Sequence, residues 1–210
     1  MISDYIGYLA IFVFATTGVL ACAYKTQNIV SLVMLGIITA LGGGTIRDII
    51  LMVPVFWLSE FYYVWIALVG SLATFLLFTL FRRYSKMLYY LDALGVALFA
   101  VEAIDKSFSV GTNAGVAIIM GIITGIGGGL IRDVLTGRPT LLITRDLYIT
   151  PILTGCIVYI WMLSAGMNQV VSDLVAISII FGFRSAAIYF DLSLPDWLHL
   201  KFVKEIQTPD

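Results

Sequence analysis

Charge is scarce in this chain. Only 12% of its 210 residues are Asp, Glu, Lys or Arg, against 60% hydrophobic, and the mean hydropathy is +1.02. That balance excludes an ordinary water-soluble domain and places the chain in the membrane class. Histidine and cysteine are rarer still. The one histidine, His199, stands in a polar stretch with no partner for a ligand cluster. Cys22 and Cys156 lie in separate apolar stretches, which excludes a disulfide framework and a thiolate metal site. No Ser-His, Cys-His or paired-carboxylate constellation appears, so catalytic residues are not expected and the chain does not read as an enzyme. Without a cluster of Asp and Glu there is no calcium cage either, and neither a metal nor a cofactor is expected. The formal net charge of -1 goes with no nucleic-acid partner. Met1-Ile-Ser-Asp4 lacks a basic residue, and the apolar run from Tyr5 to Tyr24 is too long for a cleaved signal, so it reads as a retained helix.

A helix needs about 20 mostly apolar residues to cross the hydrocarbon core. Seven stretches qualify as expectations: roughly 4–24, 28–53, 61–81, 88–104, 113–135, 147–165 and 170–190. Sliding the chain by 85 residues superimposes its two halves. Ten of the 13 positions from Gly36 to Asp48 are identical to their partners, and Phe14, Pro54, Tyr63 and Gly70 match Phe99, Pro139, Tyr148 and Gly155. Repeat one spans about 4–81 and repeat two about 88–165, with a seventh helix at about 170–190. Three helices per repeat is an odd number, so the second copy must cross the membrane in the opposite sense, a plan found in transport proteins. The expected fold is therefore an all-α integral membrane protein: one membrane domain over 1–190, made of two inverted three-helix repeats plus a seventh helix, and a tail over 191–210. Lys25, Arg82, Arg83, Lys86, Arg138, Arg145, Lys201 and Lys204 fall on one side of this scheme and only Lys106 on the other. The positive-inside rule then puts the N-terminus outside and the tail in the cytoplasm.

The second and fifth stretches carry Gly42-Gly43-Gly44 followed by Thr-Ile-Arg47-Asp48, and Gly127-Gly128-Gly129 followed by Leu-Ile-Arg132-Asp133. A glycine costs a helix about 1 kcal/mol relative to alanine, so both helices are expected to break at the triplets. Carbonyls freed there, with the hydroxyls of Thr39 and Thr124, would offer oxygen ligands to a monovalent cation. A plainer reading is close helix packing through small residues, which suits Gly36, Ala40, Gly121 and Gly125 well. Charge at membrane depth marks a functional site by default. Arg47, Asp48, Arg132 and Asp133 form an intramembrane charge network that either sets the charge of a pathway or braces the structure. Neighbours on a helix point about 100° apart, so the expected pairing is an exchange, Arg47 with Asp133 and Arg132 with Asp48. Asp92, Glu102 and Arg184 lie nearer helix ends, where long or charged side chains usually reach for the interface. Glu102 and Asp105 would suit a cation-attracting outer mouth.

The doubled Gly-Gly-Gly-x-Ile-Arg-Asp motif, Asp92-Ala-Leu-Gly95 with Phe99-Ala100, and Tyr148-Ile-Thr-Pro151 resemble the prokaryotic branch of the trimeric intracellular cation (TRIC) channels. That branch overlaps a family of bacterial membrane proteins labelled glycine transporters. The resemblance runs from Tyr5 to about Tyr189. It implies a homotrimer in the cell membrane with an hourglass pore in each protomer, kinked at the triplets, passing potassium and less readily sodium amid membrane lipid. The basic lipid-binding motif of animal members is missing, and the first repeat has Gly7 where the second has Asp92. A monovalent cation channel is the expected function. The alternative is a secondary transporter for a small zwitterion such as glycine, with Arg47 or Arg132 holding its carboxylate.

Overall fold

A computed structural model describes residues 2–23, 28–78, 86–142 and 147–192. Lys25, Arg82, Arg83, Arg145, His199, Lys201, Lys204 and nearly all of the tail lie outside the described residues. Among the described residues eight helices follow in order: α1 (Ile2–Cys22), α2 (Ile29–Ile50), α3 (Phe56–Ser59), α4 (Tyr62–Leu76), α5 (Met87–Ser109), α6 (Ala114–Thr136), α7 (Ile149–Ser164) and α8 (Gln169–Tyr189). Five of them, α1, α2, α5, α6 and α8, are long and apolar enough to cross a membrane. The other two apolar helices are shorter than their stretches suggested. α4 has 15 residues and α7 has 16, or about 22–24 Å at 1.5 Å per residue, against a core of about 30 Å. α4 begins within one residue of its expected start and ends at Leu76, while the last residues of that stretch, 79–81, lie outside the described residues.

Local chemistry sets the helix ends, and the two repeats use the same devices. Asn28 and Asn113, 85 residues apart, both cap: Val30 and Val116 each donate a backbone N–H to the Asn side chain at 3.0 Å. At the other end, Met52 N–H donates to Ile49 O (3.2 Å) and Val53 N–H to Asp48 O (3.0 Å). Gly137 N–H and Arg138 N–H do the same to Val134 O (3.1 Å) and Asp133 O (2.9 Å). This pair of bonds needs a left-handed residue after the helix. The second repeat supplies Gly137 (φ 59), whereas the first uses Met52 (φ 55), a side chain that is 94% exposed. A left-handed L-residue costs roughly 1–2 kcal/mol. Met52→Gly is therefore expected to stabilise the protein by about 1 kcal/mol, read as a higher thermal midpoint in detergent; a lower midpoint would show that the Met52 side chain makes contacts worth more than its strain.

The core sits where α1, α2, α5 and α6 meet. α4 leans on α1 and α2, and α8 on α5 and α7. Repeat partners touch each other across the middle: the Phe14 and Phe99 rings stack at 5.3 Å. α2 and α6 cross at their glycines, and the contacts are reciprocal. A Cβ on Gly43 would fall inside contact distance of Thr124 O, and one on Gly128 would lie 2.5 Å from Thr39 O. The expected helix breaks are absent: both helices run unbroken through their triplets, and none of these six glycines has a positive φ. Away from water, every freed backbone group would be costly. The glycines instead remove side chains at a crossing where backbone meets backbone, the packing use of small residues.

Candidate functional site: two buried charge centres and their cavities

One turn beyond each triplet stands a buried arginine. Arg47, near the end of α2, donates from Nε to Asp48 Oδ1 at 2.8 Å and from NH1 to Glu102. Arg132, near the end of α6, donates from Nε to Asp133 Oδ1 at 2.9 Å and from NH1 to Asp92 Oδ1 at 2.9 Å. The expected exchange between repeats is thus corrected: each Arg pairs with its own neighbouring Asp. Side chains 100° apart at the backbone still meet, because the long guanidinium stem folds back to present Nε. The second oxygen of each Asp braces the chain beyond the helix. Phe56 N–H donates to Asp48 Oδ2 at 2.8 Å, and Leu141 N–H to Asp133 Oδ2 at 3.4 Å. Phe56 and Leu141 are again 85 apart.

Both remaining carboxylates come from one helix. Asp92 lies in the first turns of α5 and Glu102 ten residues later, about 15 Å along the axis. α2 and α6 therefore pass α5 in opposite directions. Asp92 is a hub: besides Arg132 it accepts from Arg184 NH2 at 3.0 Å and from the Tyr148 hydroxyl at 3.1 Å. The Arg184 guanidinium also lies 3.8 Å from the centre of the Tyr148 ring, a cation–π contact. Asp92 and Arg184 were expected to reach for the interface, but they are 0% and 4% exposed. Each finds its counter-charge inside, which is what a buried ion requires. Arg184 and Tyr148 were the functional candidates that helix-end reasoning missed. The signal was available in the quoted Asp92 and Tyr148 motifs, but nothing in the spacing says that α8 meets them.

Each charge centre borders a cavity. The first, of about 570 Å³, is lined by Arg47, Val53, Pro54, Phe56, Ser59, Glu60, Tyr63, Glu102, Asp105, Lys106, Ser109 and Gln169. Glu102 and Asp105, expected at an outer mouth, do share it. Three carboxylates face two cations there. Asp105 also receives the Tyr159 hydroxyl and the Gln169 amide at 3.1 Å. The second cavity, about 70 Å³, has Arg132, Asp133, Arg138, Pro139 and Leu141 in its wall. Four of these are the repeat partners of Arg47, Val53, Pro54 and Phe56. Gly43 and Gly128 stand at the α2–α6 crossing, each against backbone of the other helix, while Gly44 lies against Phe56 and Gly129 beside Asp92 and Tyr148. Thr39 and Thr124 lie at the crossing too, their carbonyls facing Gly128 and Gly43, and both are fully buried. The Thr39 hydroxyl donates to Leu35 O at 2.7 Å, whereas that of Thr124 has no hydrogen-bond partner among the described residues. Helix continuity removes the free carbonyls expected near both threonines.

The sequence model described as “Glycine transporter” matches the chain twice, over residues 4–79 and 89–164, the same 85-residue offset as the internal repeat. An inner membrane protein of Escherichia coli, YadS of the UPF0126 group, is 40% identical over 70% of this chain and 72% of its own length. A UPF0126 membrane protein of Vibrio cholerae is 35% identical over 87% of this chain and 77% of its own. The solved structure of the TRIC channel orthologue from Rhodobacter sphaeroides superposes with a TM-score of 0.84 at 30% identity, covering 91% of this chain and 99% of that one. These relatives are membrane proteins and a channel, not enzymes.

Proposed function

The chain belongs to the family described as “Glycine transporter” and to the prokaryotic TRIC channels that overlap it, and on that premise we propose that it is a monovalent cation channel. The observation that carries the reading is the pair of repeat-related cavities, one at each charge centre, at the far ends of two helices that cross at their glycines. The conduction path joins the two past Gly42–Gly44 and Gly127–Gly129, with Thr39 and Thr124 at the waist. The buried Thr124 hydroxyl, which lacks a partner among the described residues, supports an oxygen ligand at that depth. Excess carboxylate around the larger cavity favours cations in its mouth. Preference for potassium over sodium, one path in each protomer of a homotrimer, seven spans in two inverted repeats, and an inner-membrane location with the N-terminus outside complete the proposal. The opposite passage of α2 and α6 along α5 supports the inversion.

A zwitterion carrier fits less well. Arg47 and Arg132 each already face two carboxylates, so neither is available to a glycine carboxylate, and continuous helices leave no half-helix N-terminus to bind one. Purified protein in a planar bilayer under a potassium gradient is expected to show discrete current steps reversing near the potassium potential. Saturable uptake of glycine into liposomes without such steps would give the case to the carrier.

A further inference from the structure

The two charge centres are built alike but fed differently. In both, the arginine Nε goes to the next residue's Asp and NH1 goes to a second carboxylate. For Arg132 that carboxylate is Asp92, from the first helix of its own repeat. The repeat partner of Asp92 is Gly7, which has no side chain at all. Arg47 instead uses Glu102, whose own repeat partner is Thr17. A Cβ built on Gly7 would lie 3.8 Å from Glu102 Cγ. Glu102 therefore reaches across from the other repeat into the room that a side chain at position 7 would occupy.

We propose that Glu102 is a positioning and charge-setting residue standing in for a carboxylate missing at position 7, so that the acid opposite Arg47 can come from either α1 or α5. The relocation changes what the centre can do. Asp92 is fully buried beneath Arg132, Arg184 and Tyr148, whereas the Glu102 side chain is 18% exposed and borders the larger cavity. Glu102 thus neutralises Arg47 and shows an acid to whatever enters that cavity; Asp92 only neutralises Arg132 and Arg184. The effect on current, though not on stability, rests on the reading of the chain as a channel.

Space for the exchange exists: the nearest atoms to a Cβ at position 7 are Glu102 Cγ at 3.8 Å and Tyr63 Cε1 at 3.9 Å, ordinary contacts. In wild-type protein, Gly7→Asp sets a second acid against Glu102 and is expected to lower the thermal midpoint. Glu102→Gln leaves Arg47 with Asp48 alone and is expected to lower it by about 5 °C or more. Combined, Gly7→Asp with Glu102→Gln should melt above Glu102→Gln, so that one substitution harms in one background and helps in the other. Gly7→Ala with Glu102→Gln, which adds the methyl group without the charge, should not rescue. If Glu102→Gln yields no folded protein, recovery of folded protein in the aspartate double and not in the alanine double reads the same result. In bilayers, Glu102→Gln should reduce potassium current entering from the large-cavity side at least twofold, and the aspartate double should restore it. Additive losses in the double, or equal rescue by alanine, overturn the proposal. Silence of the wild-type protein in bilayers would sink the channel reading, and the melting cycle would still decide the origin of the carboxylate.

Discussion

Asp92→Asn is expected to cost the protein about 3–5 kcal/mol, the usual penalty for breaking a buried ion pair on one side. Asp92 accepts from Arg132, Arg184 and Tyr148 and is fully buried. With the charge gone, Arg132 keeps Asp133 as counter-charge, while Arg184 keeps only a 3.5 Å contact to Tyr148 O and the face of the Tyr148 ring. Arg184 Nε and Arg132 NH2 already lack partners among the described residues, so little spare capacity exists there to absorb the orphaned charge. The loss should appear as a thermal midpoint lower by more than that of any surface variant. Adding Arg184→Gln should recover part of it, since the second orphan goes with its partner. Because α8 meets α5 through this contact, the variant should also loosen α8, read as faster amide exchange from about 180 to 189. An Asp92→Asn protein as stable as its parent would mean that the hub carries no net free energy.

Gly43→Ala is the second large effect, and its sign separates two uses of the triplet. Were the glycines there to break the helix, alanine would strengthen α2 by about 1 kcal/mol. At the crossing, however, the new methyl group meets Thr124 O, a backbone atom that moves only if α6 moves. Overpacking of this kind typically costs about 1–3 kcal/mol, and Gly128→Ala should do the same against Thr39 O. Gly182 in α8 is the control, since a Cβ there meets nothing within 4 Å. Gly182→Ala is expected to raise stability by about 1 kcal/mol while Gly43→Ala and Gly128→Ala lower it. If all three raise it, the crossing is looser than the geometry implies. Bilayer current should fall in the two crossing variants, because the proposed path runs past that crossing.

Much of this was legible in residue order because the bilayer restricts the choices. Backbone groups in lipid must bond within their own segment, so apolar length alone predicts helices, and the ends of α2, α5, α6 and α8 fall within a few residues of the expected stretches, save the C-terminus of α5 at Ser109. The 85-residue repeat was legible too, and it foretold that Asp48 and Asp133, Phe14 and Phe99, and the two triplets would play matching parts. Glu102 and Asp105 were expected together on charge alone, and both line the larger cavity. What residue order could not convey is which distant side chains share a volume. The helix-interior cost of glycine is a local quantity and pointed to a break; the gain from letting two backbones touch depends on the facing helix and decided for continuity. The 100° between Arg47 and Asp48 is likewise a backbone rule, overruled by a side chain long enough to turn back. Burial of Asp92 with Arg132, Arg184 and Tyr148 required three helices and the turn before a fourth to converge, and the substitution of Glu102 for the acid absent at Gly7 required helices of different repeats to lie side by side. Charge in a low-dielectric interior is tolerated only beside its counter-charge, so those pairings belong to the assembled bundle and to no single stretch of the chain.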